Sequence, residues 1–129
     1  MKKLEVINDF INRVDIETLD RWEIAEIAEN VVTLCDLNFD AYQTKTLAAA
    51  LDAGVDAEEI INGIIEGGYR LYEDVRTYED LGEEILLDEL QGNKFLEHLA
   101  PFIDYERYGQ MYCVNNCCYF TKYGVLEVF

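Results

Sequence analysis

Three times along this chain a helix-capping pattern stands directly ahead of an apolar run at helical spacing. Asp20 with Glu23 precedes Ile24, Ile27, Ala28 and Val31. Asp56 with Glu59 precedes Ile60, Ile61, Ile64 and Ile65. Thr77 with Asp80 precedes Leu81, Ile85, Leu86 and Leu90. In each, an oxygen-bearing side chain can accept from an orphan backbone N–H, and the residue three on can return the bond. Such signals commit most of the chain to helix. Leu4, Ile7, Phe10 and Ile11 predict a further helix over residues 3–14. Asn38 or Asp40 opens another through Leu47 to Leu51, with Gly54 as its stop.

The pattern changes after Gly67-Gly68. Tyr69 to Asp74 alternates loosely, as a short strand does. Gly92 closes the helix that Thr77 starts, and Lys94–Ala100 is a short turn or helix stopped by Pro101. Asp104 caps one or two turns over Tyr105–Gln110. Tyr119–Thr121 and Val125–Phe129 read as strands joined at Lys122-Tyr123-Gly124, a hairpin. The fold class is therefore α+β: a mostly helical N-terminal part, then a small α/β part ending in a β-hairpin. At 129 residues the chain makes one domain or two small ones. Gly67-Gly68 marks the boundary, giving an acidic helical subdomain over 1–67 and a second subdomain over 68–129.

Charge bounds the function. Twenty-seven acids against ten bases give a formal net charge of -17. Residues 1–66 hold 15 acids and 5 bases, and residues 67–129 hold 12 and 5, so both halves are acidic. Half the residues are apolar and nine are Tyr, so the chain folds; it is not a disordered acidic tail. Direct binding to nucleic acid needs basic patches, which this balance excludes. The favoured partners are basic surfaces, cations, or proteins whose own ligand is a polyanion. There is no apolar run long enough to span a membrane and no signal-peptide pattern behind Lys2-Lys3, which predicts a cytoplasmic protein with reduced thiols.

Catalytic readings are thin. The chain contains no Ser, which removes Ser-based triads, and its one histidine is His98. No phosphate-binding glycine loop and no EF-hand pattern occur. Cys113, Cys117 and Cys118 form a C-x3-C-C cluster, which leaves a small Cys-based metal-binding protein as an alternative. Neighbouring Cys117 and Cys118 in a strand would point to opposite faces, which suits buried thiols better than a zinc site. The expectation is no enzyme, no cofactor and no metal.

The spacing of the acids carries more information. Glu23, Glu26 and Glu29 recur every three residues. Glu73, Asp74, Glu79, Asp80, Glu83, Glu84, Asp88 and Glu89 follow one another with a single base, Arg76, among them. Glu79/Glu83, Asp80/Glu84 and Glu84/Asp88 are i,i+4 pairs, with Cβ atoms roughly 5–6 Å apart and a cost of a few tenths of a kcal/mol each. Rows of carboxylates at that separation on a rigid helix resemble phosphates along a nucleic-acid strand. A solvated helix face is the plainer reading of the same residues.

Leu99–Tyr112, L-A-P-F-I-D-Y-E-R-Y-G-Q-M-Y, followed by Y-F-T-K-Y-G-V-L-E-V-F, resembles the C-terminal part of the ArdA antirestriction family. Ile103, Asp104, Tyr105, Tyr108 and Gly109 fit the family's I-D-Y-x-x-Y-G motif. Phe120, Gly124, Glu127 and Val128 fit the strand, turn and apolar–Glu–apolar ending that follow it. The acidic run E-D-L-G-E-E-I-L-L-D-E-L also looks like the helix that precedes the motif. The match covers roughly residues 70–129 and extends by pattern and charge over the N-terminal helices. The resemblance implies a DNA mimic: an acidic dimer that occupies the DNA-binding groove of a type I restriction–modification enzyme in the host cytoplasm. A CRISPR effector is the alternative target for the same electrostatics. The chain is shorter than a usual family member and is expected to lack an N-terminal β-rich domain. The Arg-Asp that often follows Tyr-Gly is Gln110-Met111 here.

Overall fold

A computed structural model describes residues 2–90 and 92–129, with the side chains of Leu90 and Leu96 outside the described set. The architecture is α+β. Among the described residues, seven α-helices and three short strands run in the order α1 (Lys3–Arg13), α2 (Arg21–Asp36), α3 (Ala41–Asp52), α4 (Ala57–Glu66), β1 (Tyr69–Glu73), α5 (Tyr78–Leu90), α6 (Lys94–Leu99), α7 (Tyr105–Asn115), β2 (Cys117–Thr121) and β3 (Gly124–Val128). Contacts divide the chain into two compact units, one ending at Arg70 and one beginning at Leu71.

The first unit is helical. Asp20 accepts from the Glu23 N–H at 2.8 Å and starts α2. Asp40, rather than Asn38, starts α3, and it does so through a complete capping box: the Gln43 N–H donates to Asp40 at 2.7 Å and the Asp40 N–H donates back to Gln43 at 3.1 Å. Asp56 caps α4 through the Glu58 N–H at 2.8 Å instead of the expected box with Glu59. The Lys3 ammonium donates to the Cys35 and Leu37 carbonyls, placing a cation where the last turn of α2 leaves orphan acceptors. The core is built from Val6, Ile7, Leu34, Leu47, Ala48, Ala49, Ala50, Ala57, Ile60 and Ile61.

Two local expectations change. In α1 the buried residues are Val6 and Ile7, while Leu4 and Ile11 are exposed, so the inward stripe is narrower than the apolar pattern. In α2 only Leu34 is fully buried; Ile27 and Val31 are half-buried, and Ile24 and Ala28 of the expected stripe are exposed.

The second unit packs α5 and α7 beside a three-stranded sheet of order β1-β3-β2. Strands β2 and β3 are antiparallel, with Thr121 opposite Gly124 and Cys117 opposite Val128. The expected hairpin is therefore present, with β2 beginning two residues earlier than Tyr119. The Thr121 hydroxyl closes its turn by donating to the Gly124 carbonyl at 2.8 Å and accepting from the Tyr123 N–H at 3.2 Å. Helix α7 runs five residues past Gln110, and the Asn116 side-chain amide satisfies the Tyr112 carbonyl at 3.0 Å at its end. The core here is Tyr72, Val75, Leu81, Ile85 and Val125, with Tyr108, Tyr112, Cys113 and Cys118 packed against it. Leu90, expected on the inward face of α5, has a side chain outside the described residues.

Candidate functional site

Helix α5 carries the densest acids, and its placement follows from a reciprocal glycine contact. A Cβ on Gly82 would lie 2.0 Å from the Tyr105 carbonyl oxygen, and a Cβ on Gly109 would lie 2.0 Å from the Tyr78 carbonyl oxygen. Each glycine faces the carbonyl of the residue four before the other, so two Tyr-x-x-x-Gly segments, Tyr78–Gly82 and Tyr105–Gly109, cross backbone to backbone. Only glycine permits that approach.

The other motif residues serve the same element. Asp104 caps α7 by accepting from the Arg107 N–H at 3.1 Å. The Tyr105 hydroxyl donates to the Ala100 carbonyl at 2.9 Å and ties α7 to the 3-10 turn over Ala100–Phe102. Tyr108 packs against the core, and that burial, with Glu89 nearby, raises its pKa. Ile103 is half-buried. The five residues Ile103, Asp104, Tyr105, Tyr108 and Gly109 therefore build and dock α7.

The α5 acids present themselves unevenly. Glu79, Glu83, Glu84, Asp88 and Glu89 are exposed, as are Glu73 and Asp74 just ahead of the helix. Asp74 has a left-handed backbone, with φ 64°. Asp80 is half-buried and committed to the helix start: it accepts from the Arg76 N–H at 3.2 Å while its own N–H donates to Thr77 at 3.1 Å. Among the described residues, Glu79, Glu83 and Glu84 form no ion pair. Leu87 stands exposed within this face, one turn beyond Glu83.

In the other unit Glu23, Glu26 and Glu29 are all exposed on α2. Spacing of three turns each side chain by about 60° from the last on a 3.6-residue helix, so the three spiral around α2 and do not form a straight row. Glu23 and Glu26 border a groove of about 440 Å³, and Glu29 does not. The Asp20 carboxylate, followed by Glu26 among the like charges, raises the pKa of Glu23 above the usual carboxylate value.

Three features emerge only from the packing. Glu127, on β3, is buried and accepts from the Tyr72 hydroxyl at 2.9 Å and from the Tyr112 hydroxyl at 2.9 and 2.8 Å. Burial, followed by hydrogen bonding with Tyr112 and Glu127, raises the pKa of Tyr72; burial also raises that of Tyr112. Trp22 is 82% exposed at the start of α2. Gly82 matched the helical pattern and gave no hint of its contact with α7.

The cysteines divide by exposure. Cys35 and Cys117 are exposed, and Cys113 and Cys118 are half-buried. Burial, with Cys113 beside it, pushes the Cys118 thiol up to about 12. Among the described residues no three His, Cys, Asp or Glu side chains converge as metal ligands, and His98 is exposed on α6. Nor is any described helix long and apolar enough to cross a membrane. No protein-family model matches the chain, and no curated protein matches it.

Proposed function

We propose that this protein is an ArdA-like antirestriction protein: a DNA mimic that occupies the DNA-binding groove of a type I restriction–modification enzyme. The observation that carries the reading is the exposed face of α5. Glu79, Glu83 and Glu84 stand there without ion pairs among the described residues, on a helix fixed by a backbone-to-backbone crossing. Glu79 and Glu83, and Glu84 and Asp88, repeat at about 6 Å along the helix axis, while Asp80 is held in the helix start. A basic groove shaped for phosphates meets those carboxylates with little rearrangement, since the glycine crossing has already fixed the helix that holds them.

On this reading the protein catalyses nothing and needs no cofactor or metal. It acts in the host cytoplasm, as a homodimer, and touches a DNA-binding protein complex but no nucleic acid. Gln110 and Met111, which replace the family's usual Arg-Asp, are both exposed on α7. That change alters the surface beside the motif; a CRISPR effector is the alternative target for the same electrostatics.

A pull-down from cells that contain type I restriction and CRISPR complexes tests both targets. The reading expects capture of one complex at low salt and its release at high salt, because exposed charges are screened beyond about 8–10 Å near physiological ionic strength. Capture of neither complex would overturn it.

A further inference from the structure

The groove in the first unit is not explained by mimicry on α5. Its floor is apolar, built by Phe10, Val14, Ile27, Leu51 and Val55, and its volume of about 440 Å³ falls within the range of ligand-binding clefts. Glu23 and Glu26 line it from α2. Among the described residues the one cation on its wall, Arg13, is already engaged, at 2.7 Å with Asp9 and 3.6 Å with Asp52. Trp22, 82% exposed, stands one helical turn before Glu26. A large exposed indole is unusual on a surface this charged, and Trp is enriched where binding energy concentrates.

We propose that this groove is a docking site for a cationic amphipathic segment of a partner protein. Apolar side chains of that segment occupy the floor, and an Arg or Lys sits between the Glu23 and Glu26 carboxylates and the Trp22 ring. The charge complementarity is specific in kind. The two carboxylates lack a cation of their own among the described residues, and an exposed indole one helical turn from Glu26 offers an incoming cation a second attraction. An anionic segment would be repelled, and an uncharged one would leave Glu23 and Glu26 crowded as they are. The acids of α5 lie in the other unit, so this site stands whether or not the mimicry reading does.

The test titrates the isotope-labelled full chain with a helical Leu/Lys peptide of about 14 residues, four turns long, and separately with an oligolysine of equal charge. Amide resonances are followed at low salt and at about 0.5 M NaCl, where exposed charges are strongly screened. The amphipathic peptide is expected to saturate at one per chain, to shift resonances around residues 10–30 and 51–57, and to stay bound at the higher salt while oligolysine is released. The double variant Glu23→Lys/Glu26→Lys is expected to weaken it at least ~10-fold, and Trp22→Ala ~3–10-fold. Glu83→Lys/Glu84→Lys, on α5, is expected to leave it unchanged. Three results would each overturn the site: release of both peptides together by salt, shifts outside the groove, or wild-type affinity in the Glu23/Glu26 double variant.

Discussion

Replacing Gly109 with Ala isolates the feature that positions the acidic helix. The added Cβ would lie 2.0 Å from the Tyr78 carbonyl oxygen, 2.8 Å from its carbon and 3.2 Å from the Gly82 nitrogen. All three atoms are backbone, so no rotamer change relieves the clash. A carbon and an oxygen in ordinary contact sit at about 3.3–3.6 Å, so α5 and α7 must part by over ~1 Å. A gap of that order forfeits a quarter to a half of each dispersion contact along the crossing. Overpacking of a rigid contact costs typically ~1–3 kcal/mol, and this site belongs at the upper end. At ~3 kcal/mol the melting temperature falls by roughly 10 °C or more for a unit of this size. Gly82→Ala meets the Tyr105 carbonyl in the same way and should cost about as much. The double variant should cost less than the sum, because helices parted by the first methyl accommodate the second. Gly54→Ala is the control, since nothing lies within 4 Å of its Cβ and only its positive φ of 82° opposes the change, by about 1 kcal/mol. Thermal denaturation followed by circular dichroism reads all four. A Gly109→Ala protein melting within ~2 °C of wild type would refute the crossing.

Further outcomes follow from the same contacts. Glu127→Leu removes the acceptor shared by the Tyr72 and Tyr112 hydroxyls and should destabilise the protein by about 1–3 kcal/mol in urea unfolding, with Tyr72→Phe costing less. Stability should fall as pH rises from about 9 towards 12. Cys118 keeps its proton in the folded state up to about 12, against an ordinary value of 9.0, so the unfolded chain releases that proton first and unfolding is favoured through this window. Melting curves between those limits check this, and Cys118→Val should flatten the decline. Thiol titration of the native protein should show Cys35 and Cys117 reacting fast and Cys113 and Cys118 slowly, whereas four equal rates would contradict the exposures.

The helices were legible because their signals are local. Asp20, Asp40, Asp56 and Asp104 each cap a helix through a backbone N–H two or three residues away. The hairpin at Lys122-Tyr123-Gly124 was readable for the same reason. What the sequence hid depends on distant neighbours. Gly82 and Gly109 lie 27 positions apart in the numbering, and each looks like a weak helix residue until the other is placed against it. Glu127 broke the alternation rule because β3 is the central strand, covered on both faces, so four successive residues are buried. Helix α7 runs past Gln110 even though Cys113, Val114 and Asn115 are indifferent helix formers, because the packing of Tyr112 and Cys113 against the core carries the helix through them. The acid rows were visible as spacing. Their division into exposed carboxylates on α5, the Asp80 cap and the Glu23/Glu26 groove edge depends on the three-dimensional arrangement.

The central claim is that carboxylates on α5 stand in for phosphates. Its most direct test is competition between a labelled DNA duplex and this protein for a purified type I restriction complex. The variant Glu79→Lys/Glu83→Lys/Glu84→Lys/Asp88→Lys is compared with the wild type at matched salt, after circular dichroism shows that both are folded. The account predicts that wild-type protein displaces the DNA, that displacement weakens steeply as salt rises, and that the quadruple variant loses at least ~100-fold in potency. A folded quadruple variant that displaces DNA as well as the wild type would contradict it.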